Sequence, residues 1–372
     1  MASMVADAVA TGPLVILAAG GTGGHLFPAE ALSHALRARG MRVVLMTDTR
    51  AAEFAGSFPA EAVHAVPAAT PSGRSLMKMA GALLQLAKGT FAARRIVREL
   101  KPVLVVGFGG YPTVPPVLGA ALGGFQTLIH EQNAVIGRAN RFLSGRASVI
   151  ATGFAKVGGL SPAAQAKCRQ VGNPVRPAVV DVAAPYESPG EDAFELLVFG
   201  GSQGARIMAD IVPPAIQLMT QSERARLRIV QQARSEDHDR VQGIYADIGV
   251  RAEIAPFFKD LPARMAKAHL IIGRAGASTV AELTVIGRPA ILVPLPGSLD
   301  QDQAANAAVL EQAGGAIRIL QSEFSPRRLA TELSQLMVQP AHLTTMAANA
   351  KSAGIPDAAE RLAALVRETA GF

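Results

Sequence analysis

Two stretches decide the fold of this chain: LVILAAGGTGGH at residues 14–25 and ELLVFGGSQGA at residues 195–205. In each, a short apolar run that reads as a strand passes directly into glycines and then into a helical pattern. Glycine omits the Cβ atoms that would hold a ligand off the backbone, so the N–H groups of the turn and of the following helix start can meet an anion. One such unit heads each half of the chain. The pattern implies two nucleotide-fold domains that face a cleft.

The rest of the sequence keeps that rhythm. In the first half, strand-like runs at 15–19, 42–46, 103–106, 127–130 and 148–151 alternate with helical patterns that include 28–39 and 75–100. In the second half the runs fall at 196–199, 227–230, 252–255, 270–273 and 290–293, with a helix at 325–337. Short unbroken runs of this kind suit parallel strands covered on both faces. The Pro- and acid-rich stretch 173–193 reads as a linker with few crossing contacts, which places the boundary at Arg176. The expected division is a first domain at 1–175, a second at 176–340, and a helical tail at 341–372 that packs back across the first domain.

Composition narrows the function classes. With 49% hydrophobic and 17% charged residues the chain has the apolar content for a large core and is not a disordered polypeptide. Its single cysteine, Cys168, excludes an intrachain disulfide and points to a reducing compartment. The N-terminus lacks a positively charged leader, so export is not expected. No run reaches the roughly 18 apolar residues of a spanning helix. A formal net charge of +7 favours an anionic partner, such as an acidic membrane surface. Nucleic acid is not expected, because the chain has no Trp, three Tyr and no interleaving of basic with aromatic residues.

The first glycine loop fits the dinucleotide fingerprint only in part, since Leu26 stands where the third glycine belongs and Asp48 comes late for a ribose contact. There is no GK[ST], which excludes a P-loop. His25 sits where the helix begins, and a positive helix end keeps an imidazole neutral, as a general base requires; a capping or packing role is the alternative. GFGGYPT at 107–113 can form a second wall of the same crevice. His130, Glu131, Gln132 and Asn133 crowd the carboxyl end of a strand, the ligand edge of an open sheet, and serve either a site or a helix cap.

In the second half, the 200–204 loop offers N–H groups and the Ser202 hydroxyl to a phosphate, or is a plain tight turn. Ala277, Ser278 and Thr279 open a helix at a strand's carboxyl end, with Glu282 one turn further in. A diphosphate on the helix start and a carboxylate on ribose hydroxyls would use both; a capping box between Thr279 and Glu282 is the alternative. SLDQDQAAN at 298–306 brings Asp302 and Gln303 to the next strand's ligand edge, or is a solvated loop.

GGTGGH, GGYPT, HEQN, GNPVR, GGSQGAR and GASTVAE stand in order across nearly the whole chain, and together they resemble the family 28 glycosyltransferases. The resemblance implies an α/β protein of GT-B fold, two Rossmann-like domains with parallel sheets facing a central cleft, and inverting, cofactor- and metal-independent transfer of N-acetylglucosamine from UDP-GlcNAc. The acceptor it implies is lipid I, undecaprenyl-pyrophosphoryl-MurNAc-pentapeptide, attacked through the C4 hydroxyl of MurNAc to give lipid II for peptidoglycan. It also implies a peripheral enzyme on the cytoplasmic face of the bacterial inner membrane, serving cell-wall synthesis and division. By the same resemblance Ser202 and Gln203 lie near the diphosphate or uracil, Phe258 and Arg274 beside the uracil, and Ala277, Ser278 and Thr279 at the phosphates. Glu282 carries over as the ribose contact and Gln303 as the sugar contact, while Thr22, Gly23, Gly24, Asn133 and Arg176 carry over as further donor contacts. His25 carries over as the base, with Glu131 in reserve. SLDQDQAAN departs from the family's pattern around Gln303.

Within 75–100, Leu76, Met79, Leu83 and Leu86 recur at helical spacing beside Lys78, Lys88, Arg94, Arg95 and Arg98. The stripe reads either as core-facing or as a surface for anionic lipid. Two other functions share the nucleotide-binding architecture. A UDP-GlcNAc 2-epimerase would need acid/base carboxylates and no lipid surface, and a regulator without chemistry would have no use for His25.

Overall fold

Ile16 pairs with Val44 on one side and Val105 on the other, and that register sets the first sheet. The computed structural model describes residues 12–20, 23–49, 58–69, 76–201, 204–298 and 301–372. Within them, β1 (Leu14–Ala18), β2 (Arg42–Thr47), β3 (Ala62–Ala65), β4 (Leu104–Gly107), β5 (Thr127–Glu131), β6 (Val149–Thr152) and β7 (Cys168–Gln170) form a parallel sheet in the order β3-β2-β1-β4-β5-β6-β7. The second sheet contains β8 (Phe194–Phe199), β9 (Leu227–Gln232), β10 (Arg251–Ala255), β11 (Leu270–Gly273), β12 (Ala290–Leu292) and β13 (Ala316–Arg318), ordered β10-β9-β8-β11-β12-β13. In both sheets the strand order reverses direction at the strand that launches a glycine loop. A crevice opens outside the carboxyl ends of the strands at such a point.

Strand β1 shows why an unbroken apolar run is required. Val15 and Leu17 point into a core with Leu32, Leu36 and Leu45, whereas Leu14, Ile16 and Ala18 point into the opposite core with Val97, Val105 and Val117. Each fully buried side chain of this size contributes about 1.5–3 kcal/mol. A charge at Ile16 would therefore face hydrocarbon with no partner.

Strands β3, β7 and β13 were not foreshadowed by the sequence pattern. All three are edge strands with a single neighbour, and AVHA, CRQ and AIR contain no continuous apolar run. The first helix runs over Gly23–Arg37, five residues earlier than the 28–39 pattern suggested, with Pro28 inside it. His25 consequently belongs to its first turn.

The 173–193 stretch departs from the expectation of a sparsely contacted linker. Val175 and Val179 are buried in the second domain's core, Arg288 Nη1 donates to the Ala184 carbonyl at 3.2 Å, and the Tyr186 hydroxyl donates to the His269 carbonyl at 3.0 Å. Pro177 opens a short helix, Pro177–Asp181, and the irregular backbone at 183–190 leaves its carbonyls open to a guanidinium.

The Pro340–Ser352 helix packs on the Ala277–Ile286 helix of the second domain. The chain then returns, and its final helix, Ala358–Ala370, lies on the Gly23–Arg37 helix, adding Leu362, Ala363, Leu365 and Val366 to the first domain's core.

Candidate active site

Between the two domains lies a cleft of about 340 Å³. Gly23, Gly24, His25, Phe27, Gln132 and Asn133 line it from the first domain, and Phe258, Lys259, Ala277, Ser278, Thr279 and Glu282 from the second, with Arg176 at the junction. Sequence motifs more than 250 residues apart thus share one cavity. Thr22, Ser202 and Gln203 lie outside the described residues.

The Ala277–Ile286 helix points its start into this space. Its N-cap is Gly276, which has no side chain to satisfy the first-turn N–H groups, and the Ser278 hydroxyl is buried without a hydrogen-bond partner. The amides of Ala277, Ser278 and Thr279, which no cap side chain satisfies, and the positive end of the helix make a site for an anion. The capping-box alternative does not hold, because the cap is Gly276 and Glu282 faces Arg176 instead, at 3.7 Å. Burial raises the Glu282 pKa, and Arg176 opposes that rise.

His25 sits on the other wall. Gly109 and Gly110 both adopt positive φ, +85° and +72°, and a Cβ at either would lie 3.2–3.5 Å from atoms of the imidazole. The two glycines form the seat for the ring. Burial lowers the His25 pKa, so the ring is neutral near pH 7 and able to take a proton. Its Nδ1 is buried with no partner.

The HEQN segment divides into two buried residues and two that reach the cleft. His130 Nε2 hydrogen-bonds the Gly172 carbonyl at 2.9 Å, its Nδ1 receives Gln132 Nε2 at 3.1 Å, and burial pulls its pKa down to about 4. Glu131 does not line the cleft. Its carboxylate accepts from Asn133 N at 3.0 Å, Asn133 Nδ2 at 3.3 Å, Gly137 N at 3.0 Å and Asn140 Nδ2 at 2.8 Å, while burial raises its pKa. Those bonds fold the turn that presents Gln132 and Asn133.

Two further expected residues stand behind the wall. Arg274 donates through Nη1 to the Val293 and Pro294 carbonyls at 3.0 and 3.1 Å and through Nη2 to Gln321 at 2.7 Å, bracing the loop after β12. Gln303 accepts from Leu295 N at 3.0 Å, and the neighbouring Asp302 lines the cleft in its place. Phe258 does reach the cleft, its ring held under the Arg264 guanidinium at 4.4 Å.

Sequence reasoning missed Gln232. Its Oε1 accepts from Gly200 N at 2.9 Å, and its Nε2 donates to the Gly201 and Pro256 carbonyls, each at 3.1 Å, so it anchors the second glycine loop. The signal was a glutamine pair closing the strand LRIVQQ. Among the described residues no group of three or more His, Cys, Asp and Glu is gathered to hold a metal ion.

The N-terminal domain model of glycosyltransferase family 28 matches residues 15–152, and the family's C-terminal domain model matches 195–362. The chain belongs to glycosyltransferase family 28. Both glycine loops, the His25 seat and the Ala277–Ile286 helix fall within the spans matched to this family.

A curated relative from Methylobacterium nodulans, a UDP-N-acetylglucosamine--N-acetylmuramyl-(pentapeptide) pyrophosphoryl-undecaprenol N-acetylglucosamine transferase, is 60% identical over 362 residues, 96% of this chain and 97% of its own. The crystal structure of Acinetobacter baumannii MurG superposes with a TM-score of 0.79 at 30% identity, covering 96% of this chain and 99% of that one. A putative UDP-N-acetylglucosamine 2-epimerase from Listeria monocytogenes superposes with a TM-score of 0.67 at 14% identity, covering 96% of each chain; that likeness concerns the fold alone.

Proposed function

We propose that this family 28 enzyme transfers N-acetylglucosamine from UDP-GlcNAc to the C4 hydroxyl of MurNAc in lipid I, giving lipid II and UDP. The observation that carries this reading is the pairing, across one cleft, of a neutral imidazole on one wall with an uncapped helix start on the other. His25 takes the C4 proton as the hydroxyl oxygen attacks the anomeric carbon. The bond from that carbon to the diphosphate breaks from the opposite face, which inverts the configuration. Negative charge grows on the departing UDP, and fixed amide dipoles at Ala277, Ser278 and Thr279 stabilise it with little reorganisation. Glu282 takes the ribose hydroxyls.

The acceptor's lipid determines where the enzyme works. Met79, Leu83, Leu84 and Phe91 of the Leu76–Leu100 helix are 40–71% exposed and follow one another at helical spacing, with Arg94, Arg95 and Arg98 beside them. Leu86, expected in this stripe, packs against the core, and the side chains of Leu76 and Lys78 lie outside the described residues. No helix among the described residues is long and apolar enough to cross a membrane. An apolar strip flanked by cations suits peripheral attachment to the anionic cytoplasmic face of the inner membrane.

The deciding assay follows UDP release from UDP-GlcNAc with and without a lipid I analogue. Release that requires the acceptor supports the transfer; conversion of the donor to its 2-epimer, or no turnover, defeats it.

A further inference from the structure

The Asp302–Gln312 helix of the second domain places one amide, that of Asn306, against the first domain. Asn306 is 0% exposed. Its Oδ1 accepts from Ala134 N at 2.8 Å, and its Nδ2 donates to Asn133 Oδ1 at 3.0 Å and to the Ala275 carbonyl at 3.1 Å. The first two partners belong to the HEQN turn, and the third to the turn between β11 and the diphosphate helix. A buried amide is unfavourable unless paired, so a domain movement that separated Asn306 from Asn133 and Ala134 would break two hydrogen bonds at once.

The HEQN end of this contact continues toward the base. Asn133 is fixed by Glu131, and the adjacent Gln132 donates to the Phe108 carbonyl at 2.9 Å, immediately before the Gly109–Gly110 seat of His25. The other end, Ala275, precedes the helix start on which the diphosphate is proposed to rest.

We propose that Asn306 is an interdomain latch, a positioning residue that sets the HEQN turn and the His25 seat in register with the diphosphate helix. UDP, held by the second domain, binds whether or not the latch is made. Transfer needs the latch, because only then are the acceptor oxygen and the anomeric carbon held at reacting distance. The inference rests on the cleft being the donor site, and UDP binding to the unaltered protein tests that premise separately.

Three variants carry the test. Asn306→Asp preserves shape and the acceptor for Ala134 but removes both donated bonds; Asn306→Ala removes all three; Asn133→Ala cuts the contact from the other side. With melting temperature monitored, UDP Kd for the Asn306 variants is expected within about threefold of the parent, while kcat at saturating donor falls about 10–100-fold, as for misplaced reactants. The double variant Asn133→Ala/Asn306→Ala is expected to lose scarcely more kcat than Asn306→Ala, because the interdomain bond that Asn133→Ala removes is among the three already lost in that variant. Small-angle scattering with UDP-GlcNAc should show a wider particle for Asn306→Asp than for the parent. Unchanged kcat in Asn306→Asp, losses that multiply in the double variant, or UDP binding that weakens in step with kcat would each overturn the latch. Should the Asn306 variants not fold, scattering and UDP Kd of Asn133→Ala decide: a wider particle at unchanged Kd supports the latch, and an unchanged particle overturns it. Failure of the parent protein to bind UDP would sink the cleft assignment instead.

Discussion

Arg176 Nη2 lies 3.7 Å from Glu282 Oε1, and the same guanidinium stacks 4.2 Å over the Phe27 ring. One side chain at the domain junction therefore touches a carboxylate on one wall of the cleft and an aromatic on the other. Removing the carboxylate should weaken donor binding more than chemistry. Glu282→Ala is expected to raise KM for UDP-GlcNAc about tenfold or more, the scale of a hydrogen bond to a charged group, with a smaller change in kcat. Steady-state kinetics with a ribose-deoxy donor provide the control: if the variant penalises that donor as severely, Glu282 does not contact the ribose.

His25 should determine the acid limb of the rate profile. Burial lowers its pKa from the ordinary 6.5, so the neutral, proton-accepting form persists to lower pH. The low-pH midpoint of kcat/KM is accordingly expected below 6.5, and His25→Ala should reduce turnover about 100-fold or more. Glu131→Gln should retain the midpoint while lowering stability, since its carboxylate is enclosed by donors. A midpoint that moves in Glu131→Gln and not in His25→Ala would reverse the two roles.

The seat under the imidazole permits a steric test. Gly110→Ala places a methyl 3.2 Å from His25 Cδ2 at a φ of +72°, where an L side chain is strained. Turnover should fall about 10–100-fold through displacement of the base. UDP affinity, measured by calorimetry, should change little if the second domain holds the diphosphate as proposed.

His130 couples folding to pH. Its pKa is about 4 in the folded chain against an ordinary 6.5, so the unfolded chain binds the proton more readily between those values. Its contribution is fully present above about pH 6.5 and is lost as pH falls toward 4, by roughly 3 kcal/mol in all. Urea unfolding at pH 7.5 and 5 should show a steeper decline for the parent than for His130→Gln. Equal declines would mean that the ring is not held neutral by the fold.

Membrane attachment should respond to both halves of the exposed strip. Leu83→Glu and Phe91→Glu are each expected to abolish pelleting with anionic vesicles, and neutralising Arg94 or Arg98 should weaken it by about 1 kcal/mol apiece. Pelleting that ignores lipid charge and both glutamates would remove this surface from consideration.

Much of this architecture could be read in advance where one physical demand forces one pattern. Strands β1, β4, β8 and β11 are covered on both faces and had to be continuous apolar runs, and the glycines after β1 and β8 mark where the backbone must stay uncovered. Edge strands β3, β7 and β13 obey no such demand. Direction was harder to read than position: Arg274 and Gln303 sit at the strand ends where motifs place them, yet their side chains turn to carbonyl and amide groups behind the cleft wall. Gln232 closes a strand and Asn306 lies mid-helix, and in neither place does the local pattern say which group the amide meets. Their partners lie 24 to 173 residues away, and no periodicity announces a partner that distant.

The polypeptide passes from one lobe to the other twice, once near Arg176 and once between the Pro340–Ser352 and Ala358–Ala370 helices. Two pins fixed side by side define an axle. A single strand would let the lobes swivel in any direction, whereas a doubled joint confines them to opening and shutting about one line, like a clasp.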